Sequence, residues 1–260
     1  MRIGFLGGDA RMDACAALIE ADGHTVLRSY KNETLPACLE TAELLVLPSP
    51  ATRDGVTVSG TDIPFSALAG CALPMFGGFL PDTLRGDVFD LASDECFLLK
   101  NAALTAEGGI ASALGASGCG FYGLTLGVIG AGRIARLLLH KLSAFGAPIT
   151  LYARRASARE EARLCGIRAL PLAADTLFTE DILFNTVPAP VFTGTKVSRA
   201  RYICDLGGGM PAALEGADGT RVPVTACKGV PGVFSPEAAG RVVYEGLRDY
   251  LASRSFPTKS

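Results

Sequence analysis

Apolar residues follow two patterns along this chain: short continuous runs, and longer stretches with an apolar residue every three or four positions. Residues 2–6 form a short run, and Met12, Cys15 and Ile19 then recur at helical spacing until Gly23. The first pattern predicts a buried strand and the second an amphipathic helix. The further apolar runs of this first half cover residues 25–28, 43–47, 73–79 and 95–99.

A linking helix is predicted over residues 101–114, and from residue 124 the alternation of strands and helices begins again. The pattern predicts strands at 124–129, 149–153, 167–170, 181–184, 201–205 and 222–226, and helices at 133–145, 158–165, 173–178 and 237–251. Such alternation is typical of parallel sheets. We therefore expect an α/β protein with two Rossmann-like doubly wound parallel-sheet domains, the first flavodoxin-like, joined by the linking helix.

The same patterns predict the domain limits. An N-terminal domain is expected over 1–98, the linking helix and its loop over 99–120, a second domain over 121–235, and a C-terminal helix and tail over 236–260. The last helix has an apolar face made of Ala239, Val242, Val243, Leu247 and Leu251. We expect this face to pack back toward the N-terminal domain. A cap on the second sheet and a homo-oligomer interface are the alternatives.

Composition narrows the class of protein. Of the 260 residues, 31 are glycine, 49% are hydrophobic and 19% are charged, with a mean hydropathy of +0.33. Hydrophobic content this high excludes a disordered chain. The 24 basic and 26 acidic residues give a net charge of −2 and form no block of like charge. Nucleic acid and an anionic membrane surface are therefore not expected as partners.

The longest uncharged run covers residues 108–132, and nine of its residues are glycine. This composition disfavours a membrane helix and favours a helix end, a loop and a buried strand. Near the N-terminus, Gly7 and Gly8 interrupt the apolar run too early for a signal peptide. We therefore expect a cytoplasmic protein with no membrane segment.

Cysteine and histidine usage argues against a metal site. The eight cysteines are scattered without a CxxC pair, which is typical of small apolar core residues in a reducing compartment. His24 and His140 are the two histidines, and neither belongs to a cluster with metal-ligand spacing. No metal is expected.

A GxGxxA pattern separates the predicted strand 124–129 from the predicted helix 133–145. Gly130 permits a tight turn, Gly132 lets a pyrophosphate approach the backbone, and Ala135 packs closely on the strand. The helix N-terminus adds unpaired N–H groups and a positive dipole end. We expect a dinucleotide to bind at Gly130, Ala131, Gly132, Arg133 and Ile134.

The residues after strand 149–153 favour NADP over NAD. An NAD-selective site places a carboxylate about 20 residues after the glycine pattern. This chain has Arg154, Arg155 and Ser157 there. Guanidinium groups and a hydroxyl suit a 2′-phosphate, which a carboxylate would repel. NAD as cofactor, and a solvated arginine pair without a ligand, are the alternatives.

Ligands of doubly wound sheets lie beyond the carboxyl ends of the strands. In the first half these exits are residues 8–11 and 49–55, and we expect a substrate in a cleft between the two domains. In the second half the exits are 205–209 and 228–232, and a cofactor wall is predicted at Asn185, Thr186, Val187, Pro188 and Gly229.

Seven segments spread in order up to residue 240 form a more specific set. They are IGFLGGDARM at 3–12, LPSPATRDG at 47–55, NAALTAEG at 101–108, the GxGxxA unit with 153–154, then 185–188, 205–206, and GVPGVFSPEAAG at 229–240. Together they resemble the A subunit of dipicolinate synthase, a family of spore-forming bacteria. The resemblance implies NAD(P)-linked oxidation of dihydrodipicolinate, formed from 4-hydroxytetrahydrodipicolinate, to dipicolinate in sporulation. It also implies a partner, the flavoprotein-like B subunit.

A dicarboxylate substrate requires positive charge and neutral hydrogen-bond donors at the strand exits. Arg11 and Arg53 are the candidates to neutralise its carboxylates, although Arg11 could equally be an exposed first-turn residue. The candidate neutral donors are Ser49, Thr52 and Thr105.

Two carboxylates are candidates for a further role. Glu107 on the linking helix is predicted to act as a general base or to orient a donor. The alternative is a carboxylate without such a role, favoured near the helix N-terminus by the helix dipole. Asp205 ends a buried strand, where a carboxylate needs a partner. The backbone amides of the following glycines and Lys228 are candidate partners, and a catalytic role is the alternative.

Two other functions are considered. A D-2-hydroxyacid dehydrogenase pairs a histidine in its second half with an acid to move the hydroxyl proton. No histidine follows His140 here, which argues against that activity. A non-catalytic, NADP-binding regulatory or scaffold protein is the second alternative, because a dinucleotide fold does not by itself imply turnover.

Overall fold

The computed structural model describes residues 1–29, 40–118, 120–189 and 196–254. The chain divides into two compact units. Unit 1 consists of Met1–Asn101 and Gly232–Ser260, and unit 2 consists of Ala102–Pro231. Within the described residues, unit 1 contains one sheet and unit 2 contains two.

The sheet of unit 1 has five parallel strands in the order β2-β1-β3-β4-β5. The strands are β1 (Arg2–Leu6), β2 (Thr25–Ser29), β3 (Leu44–Val46), β4 (Met75–Gly77) and β5 (Val88–Asp90). This is the flavodoxin-like order, as predicted. β1 is followed by α1 (Ala10–Ala21), whose first turn is capped by the side chain of Asp9.

Helix α2 (Glu95–Ser117) begins in unit 1 and continues into unit 2. The apolar run 95–99, which was expected to close the first half before the linking helix, forms its first turns. A short apolar run does not by its periodicity distinguish a strand from a buried helix. Here Asp94 accepts a hydrogen bond from the backbone N–H of Cys96 and starts the helix. β5, which the pattern did not reveal, completes the sheet instead.

Within the described residues, ten strands lie in unit 2. They are β6 (Leu126–Ile129), β7 (Ile149–Ala153), β8 (Arg168–Pro171), β9 (Leu177–Phe178), β10 (Ile182–Asn185), β11 (Lys196–Val197), β12 (Tyr202–Asp205), β13 (Ala213–Gly216), β14 (Arg221–Pro223) and β15 (Thr225–Ala226). Six of them form a parallel sheet in the order β8-β7-β6-β10-β12-β15, which is the Rossmann order 3-2-1-4-5-6. The predicted fold class is therefore confirmed.

Helices α3 (Arg133–Ser143) and α4 (Ala156–Leu164) follow β6 and β7. A second, four-stranded sheet, β14-β13-β11-β9, was not predicted. The prediction of a helix at 173–178 is wrong. The Thr176 hydroxyl bonds both the N–H and the carbonyl of Ala173, which closes a turn, and β9 follows.

The C-terminal segment contains α5 (Val230–Phe234), which overlaps the strand exit expected at 228–232, and α6 (Pro236–Ala252). As predicted, α6 packs against the N-terminal part of the chain within unit 1. The alternative, a cap on the sheet of the second domain, is wrong. Its Val243, Leu247 and Tyr250 share a core with residues of β1, β3 and α1. The Tyr250 ring lies 5.5 Å from that of Phe76 and 5.1 Å from that of Phe89.

The contact between α1 and α6 depends on Gly240. A Cβ at this position would lie 2.5 Å from the carbonyl oxygen of Arg11 and 2.6 Å from the Cβ of Ala14. The two backbones can approach this closely only because residue 240 has no side chain.

No helix within the described residues is long and apolar enough to cross a membrane. The uncharged run 108–132 divides between the end of α2, a loop, and β6 with the turn that follows it.

We predict opposite stability effects for two glycine-to-alanine changes in helices. Gly240→Ala should lower the free energy of unfolding by about 1–3 kcal/mol, because backbone atoms must move to make room. Gly115→Ala in α2 should raise it by about 0.5–1 kcal/mol, because nothing lies within 4 Å of its Cβ and alanine favours helix. Urea denaturation measures both, and equal stability of the two variants would contradict the packing argument.

A second prediction concerns the buried Asp181, just before β10. Its carboxylate accepts hydrogen bonds from the Thr125 N–H (2.9 Å) and hydroxyl (2.7 Å). Burial alone would raise the pKa of Asp181, but these bonds, with the charges of Arg199 and Arg201, lower it below its usual value. Because its pKa is lower in the folded state, the ionised Asp181 side chain stabilises the fold at pH values above its unfolded-state pKa. This stabilisation is lost as the pH falls through the folded-state pKa.

Asp181→Asn should therefore lower the free energy of unfolding by about 1–3 kcal/mol at neutral pH. Its difference from the parent should shrink as the pH is lowered below about 4. Asp175→Asn, at an exposed position in the same unit, is the matched control and should have little effect. A pH-independent difference between parent and Asp181→Asn would argue against ionisation as the cause.

Candidate dinucleotide-binding site

The turn between β6 and α3 is held by a residue from the neighbouring strand exit. The hydroxyl and the N–H of Thr186 both donate to the carbonyl of Ile129, at 2.8 and 2.9 Å. Gly130 adopts a φ of +110°, and a Cβ there would lie 2.3 Å from the Thr186 hydroxyl oxygen. Only glycine fits this turn. β6 and β10 are also the strands between which the strand order reverses, where Rossmann folds bind their ligand.

A cavity of about 220 Å³ opens beside this turn. The N-terminus of α3, with Gly132 as its N-cap residue and no side-chain cap, contributes the positive end of the helix dipole. The cavity is lined by Gly130, Ala131, Gly132, Ala153, Arg154, Arg155, Leu172 and Val187. Six of the predicted cofactor residues are therefore brought together, and Leu172 and Ala153 are lining residues that the motif did not indicate.

Arg154 and Arg155 are both exposed and follow the end of β7. Arg159 of α4 donates to the carbonyl oxygens of Ala153 (2.8 Å) and Arg154 (2.6 Å), which fixes the backbone on which the two side chains are carried. The glycine turn, the helix N-terminus and the guanidinium groups therefore lie beside one cavity.

The remaining predicted cofactor residues lie outside this lining. Arg133 and Ile134 begin α3, Ser157 is exposed in the first turn of α4, and Gly229 is exposed with a φ of +64°. Thr186 holds the turn, and Pro188 lies beyond the end of β10. The assignment of these residues to the cofactor stays a prediction.

The exits of β10 and β12 are joined by buried polar groups. The Asn185 amide donates to the Asp205 carboxylate (2.7 Å) and to the carbonyl of Val187 (3.0 Å), and its oxygen accepts from the Val187 N–H (2.9 Å). The Asp205 carboxylate also accepts from the N–H groups of Gly208 (2.8 Å) and Met210 (3.1 Å). Asp205 thus binds the backbone amides of its own loop and shapes the exits beside the cavity.

In unit 1, Arg11 is 8% exposed and forms a two-point ion pair with Asp9. Nε and one terminal nitrogen of Arg11 lie 2.9 and 2.8 Å from the two carboxylate oxygens. Arg53 lies 3.6 Å from the same carboxylate. Burial alone would raise the pKa of Asp9, but its bonds to Arg11 and the charge of Arg53 hold it below the usual value. The three side chains carry a net charge of +1.

Asp9 was not among the predicted site residues. Its position directly before α1 is a common helix N-cap position, so the sequence carried a signal for its capping role. The ion pair with Arg11 adds a second role, which depends on the orientation of both side chains.

The other predicted polar residues have varied surroundings. Ser49 is buried, with its hydroxyl beside the backbone of Gly78, and Thr52 donates to Asp54 in an exposed turn. Thr105 is buried on α2. Glu107 on the same helix is exposed and forms an ion pair of 2.7 Å with Lys141 of α3. Within the residues that the structure describes, no three histidine, cysteine, aspartate or glutamate side chains are arranged to hold a metal ion.

Comparison with known proteins places this geometry in context. Residues 101–201 match the family model described as the D-isomer specific 2-hydroxyacid dehydrogenase, NAD binding domain. The match supports a nicotinamide cofactor for this part of the chain. No curated protein sequence matches.

Solved structures match over almost the whole length. The dipicolinate synthase A chain from Bacillus subtilis has a TM-score of 0.71 at 18% identity, covering 97% of this chain and 96% of that chain. The A subunit of dipicolinate synthase from Bacillus halodurans has a TM-score of 0.68 at 18% identity, covering 96% and 97%. D-lactate dehydrogenase from Escherichia coli has a TM-score of 0.56 at 13% identity, covering 99% of both chains. This chain therefore has the Rossmann-like NAD-binding fold that the dipicolinate synthase A chain shares with 2-hydroxyacid dehydrogenases.

Proposed function

We propose that this chain is an NADP-dependent oxidoreductase that converts dihydrodipicolinate to dipicolinate. The observation that carries the cofactor part is the cavity in which the Gly130 turn and the N-terminus of α3 lie beside Arg154 and Arg155. When bound there, the nicotinamide cofactor would supply the hydride acceptor. The dipicolinate part rests on the family resemblance of the seven sequence segments and on the shared fold.

The charge at the end of β7 supports NADP over NAD. An NAD site needs a carboxylate that accepts from the ribose 2′-hydroxyl, whereas this position carries two arginines. Their planar, permanently charged groups bind a phosphate in a two-point geometry. Arg159 already holds this backbone segment by two hydrogen bonds, so the segment would lose less conformational entropy when the cofactor binds.

Asn185 and Asp205 act in this proposal as positioning residues. Because both side chains bond each other and the backbone, we infer that they hold the Val187 and Gly208 segments in place rather than exchange a proton. Positioning the reacting carbon against the cofactor contributes several kcal/mol to lowering a barrier. Oxidation removes a hydride and a proton from the substrate ring and leaves an aromatic pyridine, so a strong base is not required.

The Asp9–Arg11–Arg53 group of unit 1 refines the expected contacts with a dicarboxylate. Arg11 is already neutralised by Asp9, so the group offers one net positive charge. Arg53, whose side chain is 66% exposed, is the more accessible cation and is proposed to bind one carboxylate. Ser49, Thr52 and Thr105 remain proposed neutral donors, and Glu107 remains a proposed base or orienting residue.

The match to the 2-hydroxyacid dehydrogenase domain covers the cofactor-binding part and does not extend the proposal to 2-hydroxy acids. His140 lies exposed on α3 and His24 lies beside the amino group of Met1. Neither lies at a strand exit of the six-stranded sheet of unit 2, where a proton acceptor for a hydroxyl would be needed.

Replacing Arg154 with Asp and Arg155 with Ser tests the cofactor preference. We expect the NADPH affinity to fall by about 10- to 100-fold and the NADH affinity to hold or rise, because charge-assisted bonds to the 2′-phosphate are lost. Isothermal titration calorimetry measures both affinities. Arg163→Asp changes charge in the same unit but outside the cavity and should leave the ratio unchanged. An unchanged ratio in the double variant would overturn the NADP assignment.

The reaction itself is tested with NADP and freshly generated 4-hydroxytetrahydrodipicolinate, with and without a B-type flavoprotein partner. We expect the ultraviolet absorbance of the aromatic pyridine dicarboxylate to appear together with NADPH. NADP binding without product under either condition would favour the scaffold alternative. Turnover of 2-hydroxy acids instead would favour the dehydrogenase alternative.

A further inference from the structure

Two cysteines of unit 2 lie in sulfur–sulfur contact. Cys204 is in β12, and Cys227 directly follows β15, the strand that pairs with it. Their sulfur atoms are 3.1 Å apart. The Cys227 N–H donates to the carbonyl of Asp205 at 2.9 Å, which holds the two strand ends side by side. The scattered positions in the sequence gave no sign of this pair.

The two thiols differ in exposure. Cys204 is fully buried in the core of unit 2, whereas Cys227 is partly exposed. A reagent from solution can therefore reach Cys227 first, with Cys204 directly behind it. An accessible cysteine next to a resolving cysteine is the arrangement found in redox-active dithiols.

Polar groups around Cys227 favour its thiolate. The Cys204 thiol is placed to donate to it, and the hydroxyls of Ser112 and Tyr202 lie 3.7 and 4.0 Å from its sulfur. The bond from Cys204 lowers the pKa of Cys227 below its usual value, and Ser112 and Tyr202 act in the same direction, against burial and the charge of Asp205. As the donor of that bond, and because it is buried, Cys204 has a raised pKa.

The other described cysteines provide a contrast. Cys15 is buried, and burial raises its pKa to about 12, which makes it a poor nucleophile. Cys71 is partly exposed, and Cys96 and Cys165 are exposed. Among the cysteines that the structure describes, exposure, a favoured thiolate and a neighbouring sulfur are combined at Cys227.

We propose that Cys204 and Cys227 form a redox-active dithiol that closes reversibly to an intrachain disulfide, with a low-molecular-weight disulfide such as oxidised glutathione as the oxidant. The Cys227 thiolate attacks one sulfur of the oxidant, whose S–S bond breaks and releases one thiolate. Cys204 then loses its proton to solvent and attacks the Cys227 sulfur, which releases the second thiol. The two protein thiols are oxidised, and one external disulfide is reduced to two thiols.

This modification site is independent of the proposed reaction, because it needs neither the cofactor nor the substrate. Its location is relevant to both, since Asp205 follows Cys204 directly and holds the loop 205–210. A disulfide would tie the exits of β12 and β15 together next to that loop.

The test uses the full-length protein in buffers of increasing oxidised-to-reduced glutathione ratio, followed by acid quenching, alkylation and tryptic mass spectrometry. Trypsin separates the two cysteines into peptides 202–221 and 222–228. We expect a joined peptide two hydrogen masses lighter than the sum, the loss of two alkylatable thiols, and full reversal by dithiothreitol. If the joined peptide is absent under conditions that already glutathionylate Cys165, the proposal is wrong.

Variants separate the two steps. Cys204→Ala should keep glutathione on Cys227 as a stable mixed disulfide and move the pH midpoint of Cys227 alkylation upward. Cys165→Ser is the matched control and should form the joined peptide as the parent does. If Cys204→Ala fails to fold, Cys227→Ser provides the second measurement: Cys204 should then stay reduced. Oxidation of Cys204 in that variant, or pairing with another cysteine in the parent, would overturn the assigned order.

Discussion

The candidate site depends on one contact, between the Thr186 hydroxyl and the turn that carries Gly130. At this point the strand order of unit 2 reverses, so the chain leaves β6 on one side and β10 on the other. The hydroxyl bonds the last carbonyl of β6 and fills the space that a side chain at residue 130 would need. The N-terminus of α3 and the cavity beside it follow directly from this turn, and the two arginines after β7 line the same cavity.

A second constraint acts at the neighbouring exits. A carboxylate as buried as Asp205 is costly unless its oxygens are satisfied. Asn185 and two backbone N–H groups satisfy them, and the bond from Asn185 also ties the exits of β10 and β12 together. The stability of the fold and the shape of the site therefore rest on the same few polar groups. The pairing of β12 with β15 extends this region to Cys227.

A buried charge imposes a similar constraint in unit 1. Arg11 is nearly inaccessible and would be costly to bury unpaired, and Asp9 resolves this while it caps α1. The pairing leaves Arg53 as the accessible cation at these exits. In both units, then, some side chains predicted to contact a ligand bond other protein groups instead: Arg11 pairs with Asp9, and Asp205 binds the backbone amides of its own loop.

The sequence by itself determined the fold class and the glycine turn, because these depend on local periodicity and on neighbouring residues. The GxGxxA spacing and the arginines after β7 are local signals, and the structure brings Gly130, Gly132, Arg154 and Arg155 to one cavity. Local patterns failed where a run was short, as at 95–99 and 173–178, because only packing distinguishes a buried strand, a helix start and a turn there.

Only the tertiary structure decided which polar residues pair. Asp9 with Arg11 and Arg53, Asn185 with Asp205, Glu107 with Lys141 and Cys204 with Cys227 are contacts set by side-chain orientation and by distances across strands. A linear pattern records the type and spacing of these groups. It does not record which of them meet, because that follows from strand order, register and the burial of each charge or thiol.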